Sequence, residues 1–253
     1  MKVTVLSSGS KGNTTLILTK NTKVLIDCGN TCKYICEKLK NLNIDPKEID
    51  AILITHTHVD HINGLKVFLR KYNTKVYITE KMQPELQFIE NYQIIDNHYF
   101  TINDIKVDII KTSHDASDSQ GFILTNNNKS AVYITDTGYI NIKYHEQLKN
   151  KELYIFESNH DIEMLNNSNY PFHLRKRILS DKGHLSNYDS AKYLSDFIGE
   201  NTKYILLAHL SEENNTYELA YETLLDRLNV CGKHVDNIII AEQNQETELI
   251  ELW

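Results

Sequence analysis

The sequence predicts a mixed α/β fold built as one domain, residues 1–253. Short apolar, β-branched runs of strand length alternate with stretches in which apolar residues recur at helical spacing. No linker, low-complexity tract or internal repeat is large enough to divide the chain, and 253 residues suffice for one substantial core. Hydrophobic content of 41% with 24% charged residues belongs to an ordinary globular protein.

Taken in order, residues 2–6, 15–18 and 24–26 read as three strands. The first two are joined by a run containing Ser8-Gly9-Ser10-Lys11-Gly12-Asn13. Alone it is a hairpin connection, although its N–H and hydroxyl groups are also of the kind that hold phosphate oxygens. It lacks the Gly-Lys-Ser/Thr ending and following helix of a P-loop. Asp27-Cys28-Gly29 ends the third strand, and Asn30 or Thr31 caps a helix through Leu42. Asp45-Pro46 turns into a strand at 51–54. A helix at 62–72, a strand at 76–79, a helix at 81–90 and a hairpin of 99–102 with 105–110 follow. Strands at 120–125, 131–135 and 153–156 precede a helix that starts at Ser186 or Asn187 and runs to Ile198. A strand at 204–207, a helix at 217–228 and strands at 235–241 and 249–252 close the fold.

The chemistry concentrates after the strand at 51–54, where His56, His58, Asp60 and His61 fall within six positions. Side chains two apart on an extended segment face the same side, so His56 and His58 can converge on one ion. Asp60 and His61 sit where a helix begins, and a tight turn there can aim two more ligands at a neighbouring ion. This spacing carries a coordination mechanism that a polar loop of surface histidines does not. Imidazole and carboxylate together suit zinc, manganese or iron rather than a pure magnesium or calcium site.

Other polar groups follow strand-like runs. His114 alone reads as a structural or solvated histidine, and Asp136 as a helix cap. Glu157 is an acid at a strand end, with His160 and Asp161 as caps or a loop pair. Arg175, Lys176, Arg177 and Lys182 form the clearest basic cluster, either a solvated helix face or a phosphate-contacting rim. His-Leu-Ser occurs twice, at His184 and at His209, and only His209 directly follows an apolar strand. Cys28, Cys32 and Cys36 are four apart and would line one helix face. With no other soft ligand nearby in sequence, they read as reduced, partly buried thiols. His98, His145 and His173 have no motif context and read as structural.

The run His56-x-His58-x-Asp60-His61 resembles the His-x-His-x-Asp-His signature of the metallo-β-lactamase-fold hydrolases. That resemblance implies a four-layered αββα sandwich with a two-metal site along one edge of the two sheets. Ser113-His114-Asp115, Thr135-Asp136-Thr137-Gly138 and Ala208-His209-Leu210-Ser211 match the family's later ligand positions. The implied assignment gives His56, His58 and His114 to one divalent ion, zinc or manganese. Asp60, His61 and His209 hold the other, and Asp136 bridges. The Ser-Gly-Ser-x-Gly-Asn loop lies near the active site in the family, implying substrate contacts from Ser8, Ser10 and Asn13. The two His-Leu-Ser motifs add His184, Ser186 and Ser211, with His184 as a substrate-side proton donor or phosphate ligand. Together these motifs resemble the YycJ (WalJ) branch, whose members are described as metal-dependent exonucleases acting on DNA. The interval from Asp136 to His209 is too short for the extra domain of the β-CASP nucleases.

The mechanism so implied is in-line attack on phosphorus by hydroxide shared between the two ions, with Asp60 orienting the water. Another hydrolase of the same fold, a lactonase, thioesterase or small-molecule phosphodiesterase, is the alternative favoured by the net charge of −7. A non-catalytic binding protein is disfavoured by the intact ligand set. No apolar run reaches the length of a membrane span and the N-terminus lacks a signal-peptide pattern, so the expectation is a cytoplasmic protein.

Overall fold

A computed structural model describes residues 1–96 and 98–252. In chain order its strands are β1 (Lys2–Ser7), β2 (Thr14–Leu18), β3 (Lys23–Ile26), β4 (Ala51–Leu53), β5 (Lys75–Ile78), β6 (Tyr92–Ile94) and β7 (Tyr99–Ile102). They continue as β8 (Ile105–Lys111), β9 (Gln120–Asn126), β10 (Lys129–Ile134), β11 (Leu153–Glu157), β12 (Tyr204–Ala208), β13 (Asn237–Ile240) and β14 (Ile250–Glu251). The helices are α1 (Cys32–Asn41), α2 (Val59–Ile62), α3 (Leu65–Tyr72), α4 (His145–Leu148), α5 (Ile162–Asn167), α6 (Phe172–Ile178), α7 (Asn187–Phe197) and α8 (Tyr217–Val230).

Two sheets result, ordered β14-β1-β2-β3-β4-β5-β6 and β13-β12-β11-β10-β9-β8-β7. In each, an antiparallel half passes into a parallel half: β3 to β6 are parallel in the first, β10 to β13 in the second. The parallel strands of each sheet therefore end along a common edge, and the site grows from those ends.

The two-residue periodicity of a strand sorts its side chains between two cores. Val24 and Ile26 of β3 join Val107, Phe122, Tyr133 and Leu206 between the sheets, while Leu25 turns outward. On that outer face Ile35 and Leu39 of α1 and Leu65 and Phe68 of α3 cover Leu16, Leu25 and Ile52. Ile205 and Leu207 of β12 turn the opposite way, under Leu194 and Phe197 of α7 and Leu224 and Leu228 of α8. The layers thus run helix, sheet, sheet, helix, which is the expected αββα sandwich. Each fully buried Phe or Leu in these layers contributes about 1.5–3 kcal/mol.

Two expectations need correction. Residues 81–90 form no α-helix but a 3₁₀ turn at Gln83–Glu85 flanked by further turns. Pro84 has no N–H to donate to an α-helix running from 81 and sits instead in the first turn of the 3₁₀ segment, where none is needed, so the chain meets its apolar spacing with turns that still bury Met82, Leu86 and Ile89. The helix expected over 62–72 is two helices, α2 and α3. They break at Gly64, whose position in close contact with Asn30 would put a Cβ 2.2 Å from the Asn30 carbonyl oxygen. The edge strand β6 and the short helices α4 and α5 carried too little periodicity to be recognised, while α6 carries Arg175, Lys176 and Arg177 on a helix, one of the two readings of that cluster. The N-cap of α1 is Thr31, which accepts from the Tyr34 N–H, and that of α7 is Ser186. Among the described residues, no helix is long and apolar enough to cross a membrane.

Candidate metal centre

β4 ends into Thr55 and His56, and His58 is the residue from which α2 springs. The extended segment and the first turn of α2 bring the motif together: the His56 and His58 rings lie 4.6 Å apart and those of His56 and His61 4.1 Å apart. His114, beyond β8, brings its Nε2 to 3.2 Å from His58 Nδ1. Ligand atoms of His56, His58 and His114 lie within 4.8 Å of one another, as do those of Asp60, His61 and His209. Asp136 falls in groups with both sides, with His56 and His61 in one and with Glu157, His184 and His209 in another. All seven residues expected to hold metal therefore meet in one place.

Their inner atoms suit a cation. His56 Nε2 is buried with no hydrogen-bond partner, and so is Asp136 Oδ2, which lies 3.2 Å from His61 Nε2 without hydrogen-bond alignment. Burying such atoms unsatisfied is costly, and coordination to a divalent ion would satisfy them.

The outer atoms are held just as deliberately. Asp27, fully buried after β3, accepts from Thr55 N–H at 2.8 Å and Thr55 Oγ1 at 2.8 Å, and lies 2.7 Å from His61 Nδ1. Glu157, fully buried at the end of β11, lies 3.1 Å from His209 Nδ1 and 2.7 Å from His184 Nδ1. His114 Nδ1 donates to the Gly183 carbonyl at 3.1 Å. Partners of this kind fix the imidazole tautomer and leave the other nitrogen free to ligate. Asp27, Asp136 and His209 all have positive φ, at 61°, 55° and 57°. Such non-glycine backbone is uncommon and clusters at functional sites; here it turns the chain sharply where each strand finishes.

The electrostatics follow from crowding. Burial lowers His56 and His114 from their ordinary values, so both are neutral. Burial also opposes charge on His61 and His209, but Asp136, Asp27 and Asp60 raise His61 well above its usual value. Asp136, Asp60 and Glu157 push His209 up to about 10. Glu157, which burial alone would raise, is pulled down to about 2 by His184 and His209.

The glycine-rich loop is tied to this centre. Asn13 N–H donates to the Asp60 carbonyl at 2.7 Å, and its side-chain amide donates to Asp60 Oδ2 at 3.2 Å. Ser8 Oγ accepts from the His209 N–H at 2.7 Å. Gly29 lets α2 approach, since a Cβ there would fall 1.7 Å from the Asp60 carbonyl oxygen. Ser8 and Asn13 are thus buried braces, and Ser186 is a buried helix cap whose hydroxyl is engaged with Asp189. None of the three lines the cavity over the centre, although Ser8 lines a neighbouring one. Ser10, His184 and Ser211 do line it, with Tyr170 and Arg177, in a volume of about 250 Å³. Of the basic cluster, Arg177 reaches this wall, forked onto Asp115 with Nη2 to Oδ1 at 2.9 Å. Sequence reading missed the bracing by Asp27 and Glu157. Both are acids directly after an apolar strand, the same signal that marks Asp136.

Residues 22–209 match the family described as beta-lactamase superfamily domain. The exodeoxyribonuclease WalJ of Streptococcus pneumoniae is 39% identical, over 90% of this chain and 88% of that protein. The exodeoxyribonuclease YycJ of Bacillus anthracis is 40% identical, over 85% of this chain and 84% of that one. Among solved structures, the metallo-beta-lactamase fold protein YhfI of Bacillus subtilis superposes with a TM-score of 0.75 at 16% identity, over 98% and 99% of the two chains. Family match, high-coverage relatives and fold agree: the chain belongs to the beta-lactamase superfamily, in the branch of WalJ and YycJ.

Proposed function

We propose that this protein is a metal-dependent hydrolase that removes nucleotides from the ends of DNA. The observation that carries the reading is the complete set of seven converging ligands in a chain about 40% identical, nearly end to end, to exodeoxyribonucleases.

His56, His58 and His114 would hold one divalent ion and Asp60, His61 and His209 the other, with Asp136 shared and zinc or manganese the fitting metals. Such ions lower the pKa of water and neutralise charge on a phosphodiester. The protein's own groups then have distinct tasks. Asp60, steadied by Asn13, accepts a hydrogen bond from the attacking water and orients it. His184 spends Nδ1 on Glu157 and keeps Nε2 for the cavity, where it protonates the leaving oxygen or binds a phosphate. Arg177, pre-oriented by Asp115, presents a cation to the backbone of the strand. Residues 1–253 act as one domain in this reading, supported by a core shared between both sheets. A cytoplasmic site of action is supported by four cysteines that are all free thiols.

The test is a time course on end-labelled linear DNA with added Mn²⁺, run beside Asp60→Ala. Stepwise loss of nucleotides from one end by the native protein alone is the expected result. Intact DNA in the presence of fully metal-loaded native protein refutes the reading.

A further inference from the structure

Beside the metal cavity, separated from it by Leu210 and Ser211, which line both, lies a second cavity of about 300 Å³. We propose that it receives the nucleobase next to the phosphodiester being cut, stacked on Tyr217 and read by the side-chain amide of Gln243. This assignment rests on the nuclease reading above and specifies how the substrate would be gripped.

The construction of the cavity points to a base. Leu210 and Ala241 supply buried apolar surface, and Tyr217, the first residue of α8, is 43% exposed. Gln243 is only 6% exposed, and its Oε1 accepts from the Lys11 N–H at 3.3 Å, but its Nε2 is buried with no partner. A buried donor left unsatisfied is unfavourable, and an acceptor on the edge of a ring would complete it. Gly9 makes room for that amide, because a Cβ there would come 2.6 Å from Gln243 Oε1, at a φ of +133° that other residues rarely adopt. The glycine-rich loop thus braces the metal helix through Asn13 and shapes the neighbouring cavity through Gly9.

Charge disfavours the obvious competitor. Glu212, paired with Lys11 at 2.6 Å, and Glu218 border the cavity, and among the described residues no Lys or Arg lines it. Glu218 opposes a phosphate there, whereas a neutral planar heterocycle with amine and carbonyl edges meets no such repulsion. The phosphate-binding cation, Arg177, is on the metal side of the Leu210–Ser211 ridge. A nucleotide straddling that ridge would place its phosphate at the metals and its base on Tyr217.

The first probe is 2-aminopurine deoxyriboside, whose fluorescence is quenched by aromatic stacking, titrated into the full chain loaded with Mn²⁺. Saturable quenching is expected, weakened roughly tenfold or more by Tyr217→Ala, from the usual strength of base–aromatic stacking. Gln243→Leu weakens it severalfold. A matching rise in KM is expected for end-labelled DNA, and for native protein on DNA ending in an abasic nucleotide. Absence of quenching with native protein, or equal quenching by both variants, overturns the base site even if DNA is degraded. Quenching that is lost in Tyr217→Ala while DNA stays intact upholds the base site and removes the nuclease reading instead.

Discussion

Asp27→Asn tests whether the centre depends on groups that never touch a metal. The substitution is nearly isosteric, and asparagine tolerates the positive φ of 61° at this position, so the backbone is not at issue. The hydrogen-bond count is. The aspartate has acceptor oxygens for all three partners, Thr55 N–H, Thr55 Oγ1 and His61 Nδ1. Asparagine has one acceptor oxygen and one NH₂ group with two donors. If its NH₂ faces His61 Nδ1, the proton moves to Nε2, the nitrogen needed for ligation. If the amide flips, its NH₂ meets the Thr55 N–H and two donors oppose each other. The first orientation frees the His61 ring directly; the second displaces Thr55, whose Oγ1 lies 3.2 Å from His61 Nδ1. Loss of a partner of this kind typically costs 10–100-fold in metal affinity, or about 1.4–2.8 kcal/mol. Competition against a chelating dye, with metal content per chain measured alongside, reads the change directly. Wild-type affinity in Asp27→Asn would refute the claim that His61 is oriented through Nδ1.

Two further expectations follow from the same structure. His61 and His209 have raised pKa values in the metal-free cage and hold protons at neutral pH, so an incoming cation must displace them. Apparent metal affinity should therefore climb as pH rises through neutrality, with proton release seen by calorimetry in buffers of differing ionisation enthalpy; pH-independent binding would count against this electrostatic picture. Away from the centre, Asp104 ties the two sheets, accepting from Thr19 Oγ1 at 2.8 Å, from Thr22 Oγ1, and from Asn126 Nδ2 at 3.2 Å. Burial opposes its charge, but these donors prevail and hold its pKa below the usual carboxylate value. Its contribution is thus present above the unfolded-state pKa and lost as pH falls through the lower folded value. Asp104→Ala should cost about 1–3 kcal/mol at neutral pH, with the gap in thermal midpoint closing in acid; equal midpoints at neutral pH would show the tie to be inert.

The sequence alone determined what depends on near neighbours in the chain. Apolar runs of β-branched residues marked β1 to β5 and β9 to β12, because a strand buried on both faces must be apolar throughout. His56, His58, Asp60 and His61 were legible as ligands because an extended segment running into a helix turn sets their relative directions without outside help. Proline at 84 was a local signal too, and it should have ruled out a helix over 81–90. Only the tertiary structure decided which groups orient those ligands. Asp27 is near Thr55 and His61 because β3 pairs in parallel with β4, Ile26 opposite Leu53, and nothing within either segment specifies that pairing. Glu157 meets His209 by the same logic across β11 and β12, with Glu157 opposite Ala208, and meets His184 because the segment before α7 donates its Leu185 N–H to Glu157 Oε2. The loop at 7–14 offered hydroxyls and N–H groups that suited phosphate equally well. Packing against α2 and the His209 turn engages Ser8 with the His209 N–H and Asn13 with Asp60, because a buried polar group bonds to whatever the fold brings within reach.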